Sequence, residues 1–314
     1  MQTIQDTIEQ TVEHTSQDTA AGERTTSGSL VLVTALAPIA WGTTYFVSSE
    51  MLPADRPLLA GLLRALPAGI ALALATRVRP TGTWWLKAAV LGTLNIGAFF
   101  AFLFVAAFRL PGGVAATLGA VQPLIAAGLA ASLLGERFSR RTLTSGLLGI
   151  AGVGLLVLRS GARLDGLGVA AGLLGATSMA AGIVLTKRWG RPVPLLAFTS
   201  WQLIAGGLLL LPLTATIEGI PTTMTGTNIA GFVWLATLGT ALAYVVWFRG
   251  VQRLPVARVS ILGLLSPVTA ATIGWIALGQ QLSIGQLLGM VIILAAVLLA
   301  QRADNRPLPP VPEP

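Results

Sequence analysis

The sequence predicts an all-α membrane protein of ten transmembrane helices, built as two inverted five-helix repeats. Composition is the first support, because the chain is 54% hydrophobic and 10% charged, with a mean hydropathy of +0.78. A soluble domain carries about 25% charged residues. The second support is an internal repeat. The third is that each copy holds an odd number of helix-length apolar runs, so the two copies must cross the membrane in opposite directions.

Short motifs recur in the same order in the two halves. The matched pairs are Pro57-Leu-Leu-Ala60 with Pro194-Leu-Leu-Ala197, Ala68-Gly69 with Ala205-Gly206, Leu91-Gly-Thr93 with Leu238-Gly-Thr240, Leu110-Pro111 with Leu254-Pro255, Gln122-Pro123 with Ser266-Pro267, and Leu147-Leu-Gly149 with Leu287-Leu-Gly289. The offset between partners drifts only from 137 to 147 residues and back to 140, as loop insertions allow. We therefore place repeat 1 at residues 30–160 and repeat 2 at residues 161–302.

Ten apolar runs approach the ~20 residues that cross ~30 Å of hydrocarbon. They are residues 30–48, 57–76, 86–108, 112–134, 143–159, 166–186, 195–213, 228–248, 256–278 and 284–301. The tails outside them, residues 1–29 and 303–314, are expected to be disordered and cytoplasmic. The first tail holds five acids, one arginine and no apolar run, which fits neither a signal peptide nor a transit peptide.

The distribution of lysine and arginine predicts that both termini lie in the cytoplasm. With the N-terminus inside, fifteen basic residues fall on the cytoplasmic side and only four, Arg56, Arg109, Arg159 and Arg163, fall outside. This bias is independent of the repeat, and the two signals agree. The net charge of +8 comes from these basic loops, which fit a lipid bilayer surface better than nucleic acid.

Several chemistries lack the residues that they need. The chain has no cysteine, and its one histidine, His14, lies in the N-terminal tail. A Ser–His dyad, a paired-aspartate site or a histidine-rich metal site is therefore missing from the spans. We expect no enzymatic activity, no cofactor and no metal.

The prolines of the fourth and ninth runs mark the first candidate site. Pro123 and Pro267 lie at equivalent positions of the two repeats, and each removes one backbone N–H from its helix. Gln122 and Ser266, which precede them, are candidates to line a gap that contacts substrate, with the prolines as hinges. The alternative is a kink that serves packing alone.

Other polar side chains near mid-span are further candidates for substrate binding. Trp41 and Thr44 lie in the first run beside small residues that let a ligand or another helix approach. Asn95 must face the interior, because an amide in hydrocarbon needs a partner. Thr240, Ser178 and Tyr244 are weaker candidates, because a hydroxyl can bond to its own helix.

Arg64 is the one formal charge well inside a predicted span. Two interpretations stay open: the side chain snorkels to the outer surface, or it anchors an acidic group of a substrate and pairs with Glu50 when the site is empty. Its repeat equivalent is Trp201, so the charge exists in one copy only. No Asp or Glu lies mid-span, which leaves proton antiport and facilitated diffusion both open.

Together these residues carry a family resemblance. Trp41-Gly-Thr-Thr44, Gly92 at the third helix, and Gly135-Glu136-Arg137 after the proline-containing fourth helix resemble the EamA family of the drug/metabolite transporter superfamily. The resemblance covers nearly the whole chain from residue 30. It implies ten helices from two five-helix repeats, a bacterial inner membrane location and export of a small molecule.

Three segments narrow the resemblance to the PecM-like branch, whose members are regarded as exporters of the blue pigment indigoidine. They are Ala37-Pro-Ile-Ala-Trp-Gly-Thr-Thr-Tyr45, Leu52-Pro-Ala-Asp-Arg-Pro-Leu-Leu59 and Arg64-Ala-Leu-Pro-Ala-Gly69. The second repeat departs from the first, since Gly279-Gln-Gln281 stands where the first has Gly135-Glu-Arg137. Any role of that acid–base pair therefore belongs to one side of the membrane.

We accordingly expect a secondary transporter that works by alternating access on a small amphipathic metabolite, such as an amino acid, an amine or a flat aromatic pigment. The alternative is a membrane-embedded sensor or regulatory subunit that transports nothing. The sequence does not decide between a monomer and a homodimer.

Overall fold

In the part of the chain that the structure describes, ten long helices, α1–α10, make up the fold. The structure, a computed structural model, describes residues 28–302 except residues 45, 54–55, 110–111, 158–164 and 220. Residues 1–27 and 303–314 of the predicted tails and the loop arginines Arg159 and Arg163 lie outside the described residues, whereas residues 28–29, predicted to belong to the first tail, begin α1. The helices are α1 Gly28–Glu50, α2 Pro57–Thr76, α3 Trp84–Gly92 continued through Thr93–Gly97 and Ala98–Arg109, α4 Gly112–Gly119 and Gln122–Leu134, α5 Arg140–Val157, α6 Gly166–Trp189, α7 Leu195–Leu213 continued through Thr214–Glu218, α8 Gly226–Ala236 continued through Thr237–Leu242 and Ala243–Arg253, α9 Val256–Leu262 and Leu265–Leu278, and α10 Ile284–Gln301.

The predicted fold class is confirmed. Among the described residues there is no strand, and nine helices are long and apolar enough to cross a membrane. The tenth, α5, has 18 residues and begins with Arg140 and Arg141, which lower its hydropathy. Large apolar side chains cover the outer surface, and some are extensively exposed, such as Ile276 at 72% and Leu86 at 71%. A surface of this kind faces lipid rather than water.

Two irregularities occur at equivalent places in the repeats. Helices α3 and α8 each contain a π-helical turn, Thr93–Gly97 and Thr237–Leu242, and these turns overlap when Thr93 is aligned with Thr240. Helices α4 and α9 are each interrupted just before the predicted hinge prolines, at residues 120–121 and 263–264. Both broken helices then end at a left-handed glycine, Gly135 at φ 69° or Gly279 at φ 63°. Glycine adopts this conformation at little cost, which ends the helix sharply.

Equivalent helices also pack against each other, α2 against α7 and α5 against α10. Glycines set the closest approaches. A Cβ on Gly69 of α2 would lie 2.8 Å from the Ile204 nitrogen, and one on Gly207 of α7 would lie 2.8 Å from the Leu66 Cβ. Helices meet this closely only where no side chain intervenes. These reciprocal contacts join the two repeats tightly along α2 and α7.

The helix bundle has two ends. We call the end at which α10 finishes, near Gln301, the terminal face, and the other end the opposite face. The turns between α2 and α3, α4 and α5, α6 and α7, and α8 and α9 lie at the terminal face. The sequence predicts that this face is cytoplasmic.

The α5–α10 contact generates a stability prediction. A Cβ on Gly289 would lie 2.6 Å from the Gly152 carbonyl oxygen, whereas a Cβ on Gly285 of the same helix would meet nothing closer than Ser283 Oγ at 3.9 Å. Gly289→Ala should therefore lower the melting temperature of the purified protein in detergent. Gly285→Ala should leave it unchanged or raise it, since Ala is favoured over Gly in helices by about 0.5–1 kcal/mol. Equal melting temperatures for the two variants would contradict this packing.

Candidate functional site

Three aromatic side chains from α1 and α8 form a cluster inside the bundle. The Trp41 ring centroid lies 5.3 Å from that of Tyr244 and 5.0 Å from that of Trp247. Tyr244 is 2% exposed and Trp247 is 1% exposed. From the sequence, Tyr244 was a weak candidate for the site. An interfacial position, as expected for a tryptophan near a span end, does not describe Trp247, because α8 turns it inward on the same side as Tyr244.

Arg64 lies beside this cluster and is only 7% exposed, so it does not snorkel. Its Nε donates to Thr240 Oγ1 at 2.9 Å, and its Nη2 donates to the Gly239 carbonyl at 2.8 Å. The guanidinium also lies over the Phe100 ring, 5.2 Å from the centroid. Glu50 does not pair with it, because that side chain is exposed and accepts a bond from Ser49 instead.

The acceptors of Arg64 belong to the π-helical turn of α8. Thr240 lies 14 residues after Gly226 and 13 before Arg253, which places this contact at mid-depth. In the other repeat Trp201 takes the place of Arg64, and its indole N–H donates to the Val78 carbonyl. The structure therefore positions one charge asymmetrically at the seam between two similar halves.

A second polar network surrounds Asn95 in the π-helical turn of α3. Asn95 is fully buried, and its Nδ2 donates to Gln202 Oε1 at 2.8 Å and to Thr186 Oγ1 at 3.2 Å. Its side chain packs directly on Gly182 of α6. Ser178, on α6, donates to the Leu94 carbonyl rather than to its own helix. This network joins α3, α6 and α7.

Gln202 and Thr186 were missed by the sequence analysis. The argument used for Asn95, that an amide within hydrocarbon must find an interior partner, applies equally to Gln202 and would have identified it. Thr186 gives no such signal, because a threonine in a helix commonly bonds to its own backbone.

The remaining candidates from the sequence lie at the breaks in α4 and α9. Backbone bonds tighten to an i→i+3 pattern there, as between the Val121 N–H and the Leu118 carbonyl at 3.1 Å and between the Ser266 N–H and the Gly263 carbonyl at 3.1 Å. Gln122 and Pro123 then begin the second half of α4, and Ser266 and Pro267 lie in the first turn of the second half of α9. α1 approaches this break, since a Cβ on Gly42 would lie 2.7 Å from the Ser266 carbonyl oxygen.

Four buried side-chain atoms of this region have no hydrogen-bond partner among the described residues. They are Trp41 Nε1, Thr44 Oγ1, Gln122 Nε2 and Trp247 Nε1. Three of them are N–H groups, which can only donate. A donor left unpaired in a low-dielectric interior costs about 1–3 kcal/mol. An acceptor supplied from outside the protein would remove that cost.

The structure thus brings some of the predicted residues together. Trp41 contacts Tyr244, and Arg64 contacts Thr240, four residues earlier in α8, so the two contacts lie near each other at mid-depth. Gly42, the neighbour of Trp41, lies against the Ser266 break. Asn95 belongs to the separate network with Gln202. For Gln122 and Thr44 the structure gives burial of their polar atoms but no contact with the group around Arg64.

A carboxylate near each face connects the two repeats. Glu136, after α4, accepts from Lys187 Nζ at 2.6 Å and from the Val256 N–H, the first of α9, at 2.9 Å. Glu218, at the end of α7, accepts from the N–H groups of Leu58 and Leu59 in α2, at 2.7 and 2.8 Å. Each carboxylate therefore caps the N-terminus of the helix equivalent to its own, where the helix dipole stabilises negative charge.

A third inter-repeat contact, an ion pair, is weaker. Arg109, at the end of α3, bonds to Asp165, the N-cap of α6, at 3.1 Å, and holds the pKa of that carboxyl below its usual range, with help from the Leu167 N–H. The two side chains are 47% and 38% exposed. Solvent therefore screens this pair, and we assign it little stabilising effect.

Ten membrane helices in two inverted repeats, with interrupted helices and polar side chains at mid-depth, define a membrane transporter. The chain matches the EamA-like transporter family over residues 28–158 and again over residues 166–301, and it belongs to that family. The family predicted from the sequence is thereby confirmed.

Individual relatives agree with this assignment. Protein PecM of Dickeya dadantii is 47% identical over 267 residues, which cover 84% of this chain and 90% of PecM, in agreement with the predicted branch. A probable amino-acid metabolite efflux pump of Salmonella typhimurium is 30% identical over 275 residues, covering 83% of this chain and 91% of the pump. A solved crystal structure shares the fold with a TM-score of 0.75 at 23% identity, covering 87% of this chain and 96% of that one.

The Asn95 network generates a second prediction. Asn95→Leu should lower the free energy of unfolding by about 1–3 kcal/mol, because Gln202 Oε1 then loses its donor, while Gln202 Nε2 already has no partner among the described residues. The double variant Asn95→Leu with Gln202→Leu should lose less free energy of unfolding than the two single variants lose together, since both partners are then apolar. Denaturation of the purified variants in detergent measures this, and strictly additive losses would mean that the two amides are not coupled.

Proposed function

We propose that the protein exports a small amphipathic metabolite that carries acceptor oxygens, by alternating access around the group formed by Trp41, Arg64, Thr240 and Tyr244. The observation that carries the proposal is the unpaired N–H donors of Trp41 and Trp247, which belong to one aromatic cluster with Tyr244. The buried cation Arg64 bonds to Thr240, four residues before Tyr244 in α8. Membership of a transporter family supports it. The direction of transport rests on the efflux function in the name of the Salmonella relative.

The charge of Arg64 indicates which substrates are favoured. Within the described residues it is met by a hydroxyl, a backbone carbonyl and an aromatic ring, and by no carboxylate. A guanidinium in a low-dielectric site interacts well with an acidic group. This environment favours an amino acid or an oxygen-rich aromatic pigment over a simple amine, which Arg64 would repel.

The aromatic rings supply the apolar part of the same site. Trp41 is partly exposed and packs against Tyr244 and Trp247, which are both buried. Flat rings and small side chains pack on such surfaces at low entropic cost. An amphipathic molecule would therefore place its oxygens toward the N–H donors and its apolar part against the rings.

Alternating access requires that one face closes while the other opens. Toward the terminal face, Phe198, Trp247 and Phe248 are each at most 1% exposed, so the interior there is filled by large side chains. Glu136 ties α4, α6 and α9 together on that face. We infer that the described conformation is closed at the terminal face and that the Glu136 contacts break when this face opens.

The two inter-repeat carboxylates should differ in role. The Glu218 contact lies on the tightly packed α2–α7 pair, which we take as the fixed axis of the motion. The Glu136 contact joins the interrupted helices α4 and α9, whose halves can move by changing few backbone angles. Glu218 therefore offers a control that matches Glu136 in chemistry but not in position.

Substrate binding is tested by Trp41→Phe, which keeps an aromatic ring and removes the N–H. In proteoliposomes loaded with labelled amino acids or with pigment, this variant should raise the half-saturating concentration about three- to tenfold, as expected for loss of one hydrogen bond. Trp85→Phe, at a residue that is 60% exposed, should transport normally.

Screening begins with the metabolites in the medium of overexpressing and deletion cells, which supply substrates for the liposome assay. If the purified protein moves none of the enriched compounds, the transport proposal fails. If both tryptophan variants transport like the original protein, transport stands but Trp41 does not contact the substrate.

Closure of the terminal face is tested by thiol labelling, because the natural chain has no cysteine. Ser260→Cys places one thiol at a fully buried position in the terminal half of α9. Adding Glu136→Gln should increase its labelling by a membrane-impermeant maleimide applied to the terminal face. Adding Glu218→Gln should not. Unchanged labelling with Glu136→Gln, or an equal increase with Glu218→Gln, would remove Glu136 from the closing mechanism.

A further inference from the structure

The two interrupted helices meet each other differently at the two faces. At the terminal face, the second half of α4, Gln122–Leu134, packs against the first half of α9, Val256–Leu262. The other halves, Gly112–Gly119 and Leu265–Leu278, reach the opposite face, and the part of the chain that the structure describes holds no comparable contact between them. The described conformation is therefore more open at the opposite face than at the terminal face.

The repeats indicate which residues close the opposite face in the other conformation. In inverted-repeat transporters, alternating access is largely a rocking of one repeat against the other, so a contact that closes one face should have an equivalent at the other. Val256, the first residue of α9, is equivalent to Gly112, the first of α4, because each follows a Leu-Pro motif. Glu136 is equivalent to Gln280, because each directly follows the left-handed glycine that ends its helix.

The third member of the terminal-face contact also has an equivalent. Lys187, which donates to Glu136, lies seven residues before Pro194, and Glu50 lies seven residues before the matching Pro57. Lys187 is in the last turn of α6, and Glu50 is the last residue of α1. Glu50 therefore lies at the opposite face, as Lys187 lies at the terminal face.

The two changes of residue type between the repeats match each other chemically. The carboxylate of Glu136 only accepts, from Lys187 and from the Val256 N–H. In the other repeat the partner, Glu50, is itself an acceptor, so the residue in the place of Glu136 must donate as well as accept. Gln280 does both, since its amide has a carbonyl oxygen and an NH₂ group.

We propose that Gln280 closes the opposite face when the terminal face is open. Its Oε1 accepts from the Gly112 N–H, and its Nε2 donates to the carboxylate of Glu50. This contact joins α9 to α4 and α1, just as Glu136 joins α4 to α9 and α6 in the described conformation. The inference rests on the alternating access proposed above, and it names the contact of the conformation that is open at the terminal face.

Gln280 and Glu50 are both exposed in the described conformation. Gln280 lies against Gly274 of its own helix, and Glu50 accepts from the neighbouring Ser49 at 3.1 Å. Their helices are already neighbours, because Gly42 of α1 lies against the break in α9. A rearrangement of the two helix ends therefore suffices to bring the side chains together.

The test uses the thiol of the Ser260→Cys variant, because its labelling by an impermeant maleimide from the terminal face reports how often that face opens. Adding Gln280→Glu removes the amide donor and places a second carboxylate beside Glu50 in the conformation that is open at the terminal face. The labelling rate should fall about three- to tenfold, as expected for loss of one hydrogen bond. The melting temperature should not change, because Gln280 is exposed in the described conformation.

A second substitution should reverse the effect. Glu50→Lys, combined with Gln280→Glu, recreates at the opposite face the carboxylate–ammonium pair of Glu136 and Lys187, and it should restore the labelling rate. Gln281→Glu is the matched control, because it makes the same change at the next residue, which is also exposed, and it should leave the rate unchanged. Gln280→Leu should lower the rate as well, and it covers the case in which Gln280→Glu does not fold.

Three results would overturn the proposal while leaving transport in place. They are an unchanged labelling rate in Gln280→Glu, an equal fall in Gln281→Glu, and a fall in Gln280→Glu that Glu50→Lys does not reverse. A thiol at position 260 that is never labelled from the terminal face, even during transport, has a different meaning. It would show that this face does not open, which contradicts alternating access itself.

Discussion

Hydrocarbon offers no hydrogen-bond partners, so every polar group inside this bundle must be satisfied by another part of the protein or by its cargo. That constraint explains why the polar residues are few and why they connect different helices. Arg64 bonds to the π-helical turn of α8, and Asn95, itself in the π-helical turn of α3, bonds to Gln202 of α7. The two irregular turns thus mark the places where the helix backbone and side chains hold the repeats together.

The two halves share a backbone plan but not a chemistry. Equivalent π-helical turns, helix breaks and left-handed glycines show that the geometry is common to both. Arg64 corresponds to Trp201, and Glu136 corresponds to Gln280. A site built at such a seam has different groups on its two sides, although the scaffold around it is nearly symmetric. The single mid-depth charge and the inter-repeat carboxylate of the terminal face both arise from these differences.

Much of the fold could be predicted from the sequence, because apolar run length and repeated motifs report directly on membrane helices. The helix ends were less predictable. Hydropathy ended α8 at residue 248, yet the helix continues to Arg253, because polar residues at a membrane surface do not break a helix. The π-helical turns were not predicted, since apart from Asn95 their residues are apolar, small or hydroxyl-bearing like those around them, and one amide does not indicate a π-helix.

The candidate site was predicted less completely. A lone amide in an apolar span, such as Asn95, indicates an interior position, whereas for Arg64 the sequence left an interior and a surface position open. It does not show which helix provides the partner, because that depends on how the helices pack. Trp247 lies near the end of the apolar run 228–248, where a tryptophan is expected at the interface, and only the rotation of α8 shows that it faces Trp41. The inter-repeat contact of Glu218 likewise joins residues 159 and 160 positions apart in the chain.

The acceptor that Arg64 finds at Gly239 is part of the main chain. A main-chain oxygen is present whatever side chain stands at that position, so point substitutions in α8 leave this bond in place as long as the π-helical turn survives. Side chains around this bond can then vary while the Arg64 guanidinium keeps its main-chain partner inside the bilayer. In a transporter of this build, the side chains around the bond can change while the buried charge stays bound to the main chain.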